Sequence, residues 1–322
     1  MSDFCGGVDV GGTKISSALF TNKGEMLAKS KVPIDKAGGE RAADQVAAAI
    51  RGLERAAADE GGLLLAAGVS IPGIVYSETG RVWAPNIPGW DRFPLLERLE
   101  REDDSPEFPD VLLVSDRSAY VTGEAWRGAA AGATDAVFLA VGTGIGAGLL
   151  SGGRLILGQE DIAGAVGWFG LNPDFKPAYA AMGCFESEAS GSSVARKALE
   201  LLGAGRASLI RELAGGRLAD VTAETVAEAA RRKDPLALEV VADAVSYIAM
   251  GIANIVSLLN PQVVVLGGGL FQAADVFLEP VRREFRRWAQ PRAAETVRLE
   301  LSALGEDAGL YGCGKLAWDS IG

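Results

Sequence analysis

The chain has 322 residues, which fits two domains of about 150 residues each. Its 48% hydrophobic and 23% charged residues form an ordinary globular composition and exclude a disordered chain. The net charge of −11 and the pI near 4.7 disfavour nucleic acids and anionic membrane surfaces as main partners, because both attract basic proteins.

Strands and helices alternate in the first part of the chain. Apolar patterns predict three short strands (6–10, 14–20 and 25–32), a helix (40–58), a strand (63–71), a helix (93–100) and a buried strand (111–114). The acidic, proline-containing segment 101–109 is predicted to be a loop. Asp116 stands just past the last of these strands.

The same order of elements begins again in the middle of the chain. Strands are predicted at 136–141, 145–150 and 154–157, then a long helical region (192–259), and then a strand (263–266). Aligning Gly11 with Gly142 superposes two copies of a strand, a Gly-Thr turn, a strand, a glycine turn and a strand. This repetition predicts a duplicated α/β architecture.

Histidine and cysteine usage excludes several kinds of catalytic and metal-binding site. The chain has no histidine, which excludes a Ser-His-Asp triad, a Cys-His dyad, a histidine-ligated metal and a histidine base. Its three cysteines form no CxxC pattern and predict neither a disulfide framework nor a Cys-rich zinc site. No secretion signal is apparent, and the apolar stretch 245–259 is too short and too polar to be predicted as membrane-spanning. Free thiols then favour a cytoplasmic protein.

The glycine-rich turns are candidate phosphate-binding sites. Glycine lets a bulky anion approach backbone N–H groups, and a threonine hydroxyl can bind phosphate oxygens. A plain hairpin turn is the alternative for one such turn, but two matched turns and a third glycine triplet favour phosphate binding. The candidates are Gly11, Gly12, Thr13 and Lys14 at the first turn, Thr143 and Gly144 at the second, and Gly267, Gly268 and Gly269 at the triplet.

Asp9 precedes the first turn, where a carboxylate could hold the water shell of Mg²⁺. Two other phosphate-binding folds are disfavoured. No GxxxxGK[ST] pattern occurs, which excludes a P-loop enzyme. A loose GxGxxA pattern at 142–147 is followed by a predicted strand instead of a helix, so it supports a Rossmann dinucleotide site poorly.

Five motifs carry a resemblance to a known family: VDVGGTK (8–14), APNIPGW (84–90), VGTGIGAGLL (141–150), NPQVVVLGGGL (260–270) and EDAGLYGCGKLA (306–317). In this order, and nearly end to end, they resemble the ROK family of sugar kinases and repressors, which belongs to the hexokinase and actin ATPase superfamily. The resemblance implies a duplicated ribonuclease-H-like fold with ATP, accompanied by Mg²⁺, in a cleft between two domains. The smaller domain would comprise 1–117 and 306–322, with the C-terminal helix returning to it, and the larger 118–305.

The resemblance also implies where the nucleotide binds. Residues 11–13 would hold one side of the phosphates, Thr143 and Gly144 the other side, and residues 267–269 would lie by the adenosine.

Phosphoryl transfer to an alcohol needs a base near the attacking hydroxyl. Asp116 stands at the carboxyl end of a buried strand, where ligand clefts of α/β proteins open. By spacing alone it fits equally well as the N-cap of a helix that starts near Ser118. The resemblance favours the base, since the family's catalytic aspartate precedes a helix that ends in Gly-Glu, as at Gly123-Glu124.

The predicted sugar pocket matches the family only in part. Glu186 matches a glutamate that reaches the sugar, with a surface helix position as its alternative, and Asn86 matches a pocket asparagine, with a turn as its alternative. Gly73 and Ser115 complete the predicted pocket, although the family usually has asparagine at the position of Ser115.

Other positions depart from the family. Ala165 and Trp168 replace a glutamate and a histidine that contact the sugar. Trp168 then either stacks on an apolar face of the substrate or fills the volume of a missing zinc loop. Only GCFE at 183–186 remains of that Cys-rich loop, so no structural zinc is expected.

We therefore predict an ATP-dependent, Mg²⁺-requiring kinase that phosphorylates a hydroxyl of a sugar or sugar-like polyol. Two polar pocket groups are replaced, so the substrate should differ from glucose or N-acetylmannosamine; an amino sugar such as kanosamine, or a C7-cyclitol, would suit. The expected partners are this substrate and a second copy of the chain in a homodimer, with neither nucleic acid nor membrane.

Two alternatives remain open at this point. A catalytically silent relative could bind a sugar without phosphorylating it, but the retained Asp9, Asp116 and glycine turns oppose this. A transcriptional repressor is disfavoured by the acidic charge and because the first strand starts so early that no N-terminal helix-turn-helix is expected.

Overall fold

The structure is a computed structural model that describes residues 2–101 and 109–322. Its strands are β1 (Ser2–Val10), β2 (Lys14–Phe20), β3 (Met26–Pro33), β4 (Gly62–Ile71), β5 (Ile74–Tyr76), β6 (Arg81–Trp83), β7 (Asp110–Ser115), β8 (Ala136–Val141), β9 (Ile145–Ser151), β10 (Arg154–Leu155), β11 (Val263–Gly267) and β12 (Arg298–Leu301). Its α-helices are α1 (Gly39–Asp59), α2 (Leu95–Glu100), α3 (Asp116–Arg127), α4 (Tyr179–Met182), α5 (Cys184–Ala189), α6 (Gly191–Gly203), α7 (Leu209–Leu213), α8 (Ala223–Arg231), α9 (Pro235–Leu259), α10 (Ala274–Trp288), α11 (Pro291–Thr296) and α12 (Ala308–Ile321).

Two five-stranded sheets repeat one topology. The first has the order β3-β2-β1-β4-β7, in which β1, β2 and β3 pair antiparallel and β4 and β7 join in parallel. The second has the order β10-β9-β8-β11-β12, with β9 and β10 antiparallel and β8, β11 and β12 parallel. The strands flanking the two Gly-Thr turns keep one offset, since β1 ends at Val10 and β8 at Val141, while β2 begins at Lys14 and β9 at Ile145. The predicted duplicated α/β fold is confirmed.

Contacts between Cα atoms divide the chain into two compact units. The first comprises Met1–Thr134, Gly148–Ala163 and Ser302–Gly322, and the second Asp135–Ala147 and Gly164–Leu301. The first unit therefore holds both α3 and α12. This division differs from the predicted boundary between 117 and 118, which assigns α3 to the larger domain.

Helix α1 covers one face of the first sheet because its apolar residues recur every three or four positions. Val46, Ile50 and Leu53, which show this spacing, are fully buried in the core of the first unit. Strand β4 is buried along most of its length, and it lies between β1 and β7. A central strand of this kind fixes the ends of its two neighbours relative to each other.

Helix α12 packs against the opposite side of the same sheet and against α3. The approach is so close that it requires glycine on both sides. A Cβ on Gly68 of β4 would overlap the carbonyl oxygen of Cys313, and a Cβ on Gly312 would overlap that of Ala119 in α3. The glycines of the last motif are therefore packing residues that bring α12 against the strands and α3.

Several elements differ from their predictions. The predicted helical region 192–259 is broken into α6, α7, α8 and α9, and the β5-β6 hairpin, α10, α11 and β12 were not predicted. The predicted loop 101–109 lies largely outside the described residues.

Helix α9 is also longer than the apolar stretch 245–259. With 25 residues it is long and apolar enough to cross a membrane by length and composition alone, contrary to the prediction that this stretch is too short and too polar. In its most apolar stretch of 18 residues, 61% is buried, as in an interior helix of a compact unit.

Candidate active site

Two aspartates mark the carboxyl ends of β1 and β7, the two parallel strands that flank β4 in the first unit. Asp9 lies at the end of β1, opposite Ser70 of β4, and Asp116 follows β7, whose Ser115 pairs with Ile71 of β4. The Ser70 hydroxyl donates a hydrogen bond to Oδ1 of Asp9. The sheet thus brings together both predicted acids at the edge where α/β proteins bind ligands.

Asp116 has the electrostatics of a base that works near neutral pH. Burial raises the pKa of its carboxyl to about 7, the Arg117 guanidinium acts against this rise, and Asp9 adds to it. The Arg117 N–H donates to Oδ1 at 2.8 Å and also favours the charged form. Burial likewise raises the pKa of Asp9, while the Ser70 hydroxyl and Lys14 oppose that rise.

Ser115, and not Asp116, is the N-cap of helix α3. Its Oγ accepts a hydrogen bond from the Ser118 N–H at 3.3 Å and lies 3.0 Å from the Ser118 Oγ. This removes the alternative in which Asp116 serves as the cap. The hydroxyl of Ser115, which was predicted to bind the substrate, therefore already stabilises the N-terminus of α3.

The first glycine turn is short and exposed at its tip. Gly11 donates its N–H to the Lys14 carbonyl at 2.8 Å, and both Gly12 and Thr13 are exposed. A Cβ built on Gly12 would lie 3.2 Å from Cβ of Asn86, so the turn and the predicted pocket asparagine are neighbours. The exposed tip leaves Gly12 and Thr13 as the residues of this turn that an anion could approach from solvent.

Lys14 and Gly73 have structural partners. The Lys14 ammonium pairs with Glu306 at 2.6 Å, and Lys31 approaches the same carboxylate at 3.3 Å. These two lysines lower the pKa of Glu306 to about 2.

A Cβ on Gly73 would overlap the carbonyl oxygen of Trp83 in the β5-β6 hairpin, so close packing of the backbone explains the glycine at this position.

The second glycine turn, in the second unit, lies against Glu186. Gly142 donates its N–H to the Gly144 carbonyl at 2.9 Å, which closes the turn. Oε2 of Glu186 accepts the Ile145 N–H at 2.7 Å, and a Cβ on Gly144 would lie 2.7 Å from that same oxygen. Glu186 is therefore not the surface helix residue of the alternative interpretation. Burial raises the pKa of its carboxyl, which the Ile145 N–H opposes.

A cavity of about 530 Å³ in the second unit begins at this turn. It is lined by Gly142, Thr143, Gly191, Ser192, Ala195, Val221, Thr222, Ala223, Glu224, Gly269 and Leu270. Within the glycine triplet only Gly269 lines it. Gly267 instead leaves room for the ring of Phe138, and Gly268 adopts a positive φ of 89° beside the Val141 backbone.

A polar cluster around the buried Glu188, which the sequence did not predict, lies beside Glu186. Glu188, also on α5, is only 7% exposed and accepts hydrogen bonds from the Tyr179 hydroxyl and the Lys176 ammonium. The Asn172 amide approaches the hydroxyls of Tyr179 and Tyr247 at 3.2 and 3.3 Å. The cluster links the segment before α5 to helices α5 and α9. Four of its members lie between residues 172 and 188 at irregular spacing, and Tyr247 comes from α9, so no sequence pattern predicts the cluster.

The exposure of Trp168 bears on its two predicted roles. Trp168 is 58% exposed, so it does not fill an interior volume in place of the missing zinc loop, which contradicts that alternative.

Among residues 2–101 and 109–322, no group of three or more Cys, Asp or Glu side chains could hold a metal ion. A single carboxylate such as Asp9 still fits Mg²⁺, which keeps most of its waters and shares phosphate oxygens.

Comparisons with known proteins agree with this fold. The model of the ROK family matches residues 5–320. A glucokinase from Halalkalibacterium halodurans is 34% identical, over 96% of this chain and 93% of that protein. The crystal structure of a ROK family glucokinase from Streptomyces griseus, in complex with glucose and AMPPNP, aligns with a TM-score of 0.79 at 30% identity, over 98% of this chain and 99% of that one. The ROK hexokinase from Thermus thermophilus aligns with a TM-score of 0.79 at 32% identity, over 99% of both chains. This chain belongs to the ROK family.

Proposed function

We propose that the protein is an ATP-dependent kinase that phosphorylates a hydroxyl of a sugar or sugar-like polyol, with Asp116 as general base. The observation that carries the proposal is the environment of Asp116. It stands at the carboxyl end of β7, burial raises its pKa to about 7, and Ser115 instead of Asp116 caps helix α3. The relation to the glucokinases named above supports the reaction class.

In this mechanism the substrate hydroxyl gives its proton to the Asp116 carboxylate as its oxygen attacks the γ-phosphorus. The bond from the γ-phosphorus to its bridging oxygen breaks, and ADP leaves with the electron pair. The N–H groups of Gly12 and Thr13 with the Thr13 hydroxyl, and those of Thr143 and Gly144 with the Thr143 hydroxyl, would bind phosphate oxygens. Asp9, oriented by Ser70, would hold the water shell of Mg²⁺, which would offset phosphate charge.

The substrate is proposed to differ from glucose on one face. Glu186 is held by the Ile145 N–H and is proposed to accept a hydrogen bond from the substrate. Ala165 has no hydrogen-bonding side chain, and the exposed Trp168 offers an apolar face. An amino sugar such as kanosamine, or a C7-cyclitol such as valienol, fits this change better than glucose does.

A coupled assay of ADP release tests this function, with a panel of glucose, N-acetylmannosamine, kanosamine and valienol, each with ATP and Mg²⁺. Turnover of at least one compound is expected. Thermal shifts with the same panel identify compounds that bind without being phosphorylated. Binding without turnover would favour the silent sugar-binding relative, which the changes at Ala165 and Trp168 support.

Two further properties belong to the proposal. The protein is expected to act in the cytoplasm, consistent with three buried free cysteines, and to form a homodimer. Light scattering coupled to size-exclusion chromatography measures the mass of the assembly.

A further inference from the structure

A second cavity, remote in sequence from the glycine turns, is rich in arginine. It measures about 550 Å³ and is formed within the second unit by α10, α11 and β12. Its lining residues are Glu279, Arg282, Arg283, Phe285, Arg286, Ala294, Val297, Arg298, Leu299 and Glu300. Four of these carry a permanent positive charge, and Phe285 and Leu299 form a buried apolar floor.

The helix period explains why the arginines meet. Positions 279, 282, 283 and 286 of α10 are spaced by three and four residues, so their side chains share one face of the helix. Arg282 fixes that face against β12, because its guanidinium donates to the Leu299 carbonyl at 3.2 Å and 2.6 Å. Arg298 begins the same strand and completes the lining.

The acidic residues of the cavity are already engaged. Glu279 pairs with Arg282 at 2.7 Å, and Glu300 approaches the same guanidinium at 3.6 Å. Within the part of the chain that the structure describes, the guanidinium groups of Arg283, Arg286 and Arg298 have neither an ion pair nor a hydrogen bond.

Neighbouring arginines show that pairing is otherwise the rule here. Arg287 binds Glu284 at 2.9 Å and Arg292 lies 3.4 Å from Glu295. Three uncompensated guanidinium groups around one cavity stand out in a chain with a net charge of −11. Such a grouping creates a local positive potential that concentrates small anions.

We propose that this cavity binds a phosphorylated small molecule through Arg283, Arg286 and Arg298. A guanidinium matches two phosphate oxygens at once, and a phosphate dianion gains more than a carboxylate from three such groups. The volume admits a ligand of the size of a sugar phosphate, with the apolar floor under its non-ionic part. Because the arginines are exposed, binding is expected to weaken strongly with added salt.

Isothermal titration of the full chain with glucose 6-phosphate, pyrophosphate or inorganic phosphate tests the proposal. The double variant Arg283→Gln/Arg286→Gln removes two cavity charges. The control Arg287→Gln/Arg292→Gln removes the same charge from two paired arginines, neither of which lines the cavity. The cavity variant is expected to lose about tenfold or more in affinity, and the control less than about twofold. Unfolding temperatures of both variants, measured without ligand, verify that they fold.

The three probes separate the sources of the anion. Tightest binding of glucose 6-phosphate identifies a phosphate ester as the ligand, and tightest binding of pyrophosphate a nucleotide or polyphosphate. Equal loss of affinity in both variants, unchanged affinity in the cavity variant, or no binding of any probe at millimolar concentration would overturn the proposal. None of these outcomes depends on kinase activity, so the two proposals fail separately.

Discussion

Gly309 of α12 lies directly against the carboxylate of Asp9. A Cβ built on Gly309 would lie 2.7 Å from Cγ of Asp9 and 2.8 Å from its Oδ1. The start of α12 thereby contributes to the burial that raises the pKa of Asp9. The position of this acid depends on a residue distant in sequence.

Gly309→Ala should therefore move either Asp9 or α12. We expect a loss of about 1–3 kcal/mol in the free energy of unfolding, because the new methyl group is overpacked. Gly52→Ala, in α1 with open space around it, is the matched control and should stabilise by about 0.5–1 kcal/mol. Urea unfolding of both variants checks this, and equal stability of the two would contradict the contact.

Asp116→Asn tests the general base. The amide keeps shape and hydrogen bonding but cannot take the proton, so kcat should fall by about 10²–10⁴-fold. The KM values for ATP and substrate should change by less than about tenfold. Asp110→Asn, at the exposed start of β7, serves as control and should keep kcat. Near-normal turnover by Asp116→Asn would exclude it as the base.

The pH dependence follows from the raised pKa of Asp116, about 7. The base must be deprotonated, so kcat/KM should reach a plateau above that value and fall about tenfold per unit below it. The folded state also binds the proton more tightly than the unfolded state, so Asp116 lowers stability as pH rises from about 4 through 7. Asp116→Asn should gain unfolding temperature relative to the wild type over this range, and a parallel pH profile for the two proteins would contradict the raised pKa.

Gly12→Val tests phosphate binding at the first turn. Branched methyl groups there would obstruct an anion and also press on Asn86, 3.2 Å from the Cβ position. The KM for ATP should rise about tenfold or more, as expected for one lost charge-assisted hydrogen bond. Asn86→Ala separates the two effects: it should raise the KM for the sugar and leave the KM for ATP nearly unchanged. An unaltered KM for ATP in Gly12→Val would leave the turn with a structural role only.

Chelation tests the predicted absence of structural zinc. Treatment with EDTA should leave the unfolding temperature unchanged, because the chain has no histidine and residues 183–186 offer a single cysteine, Cys184, as a zinc ligand. Tyr179→Phe should lower that temperature, since it removes a hydrogen bond to a buried carboxylate and costs about 1–3 kcal/mol. Stoichiometric zinc in elemental analysis of the purified protein would overturn the prediction.

The duplication was predictable because a Gly-Thr turn between two strands leaves the same local signature twice. The β5-β6 hairpin was not, since its three-residue strands are too short to show a period. Spacing could not choose between Ser115 and Asp116 as the cap of α3, because either side chain can accept the N–H bond. The environment of Glu188 depends on residues 172 to 247, which only tertiary structure brings together.

The division of the chain also orders its synthesis. Residues 302–322 supply α12, which packs on β1 and β4 through the glycine contacts described above, yet they are translated after the whole of the second unit. The side of the first sheet that α12 covers therefore stays exposed while residues 135–301 are synthesised. Until residues 302–322 emerge, the apolar surface that α12 will cover is open to chaperones, and Asp9 lacks its contact with Gly309.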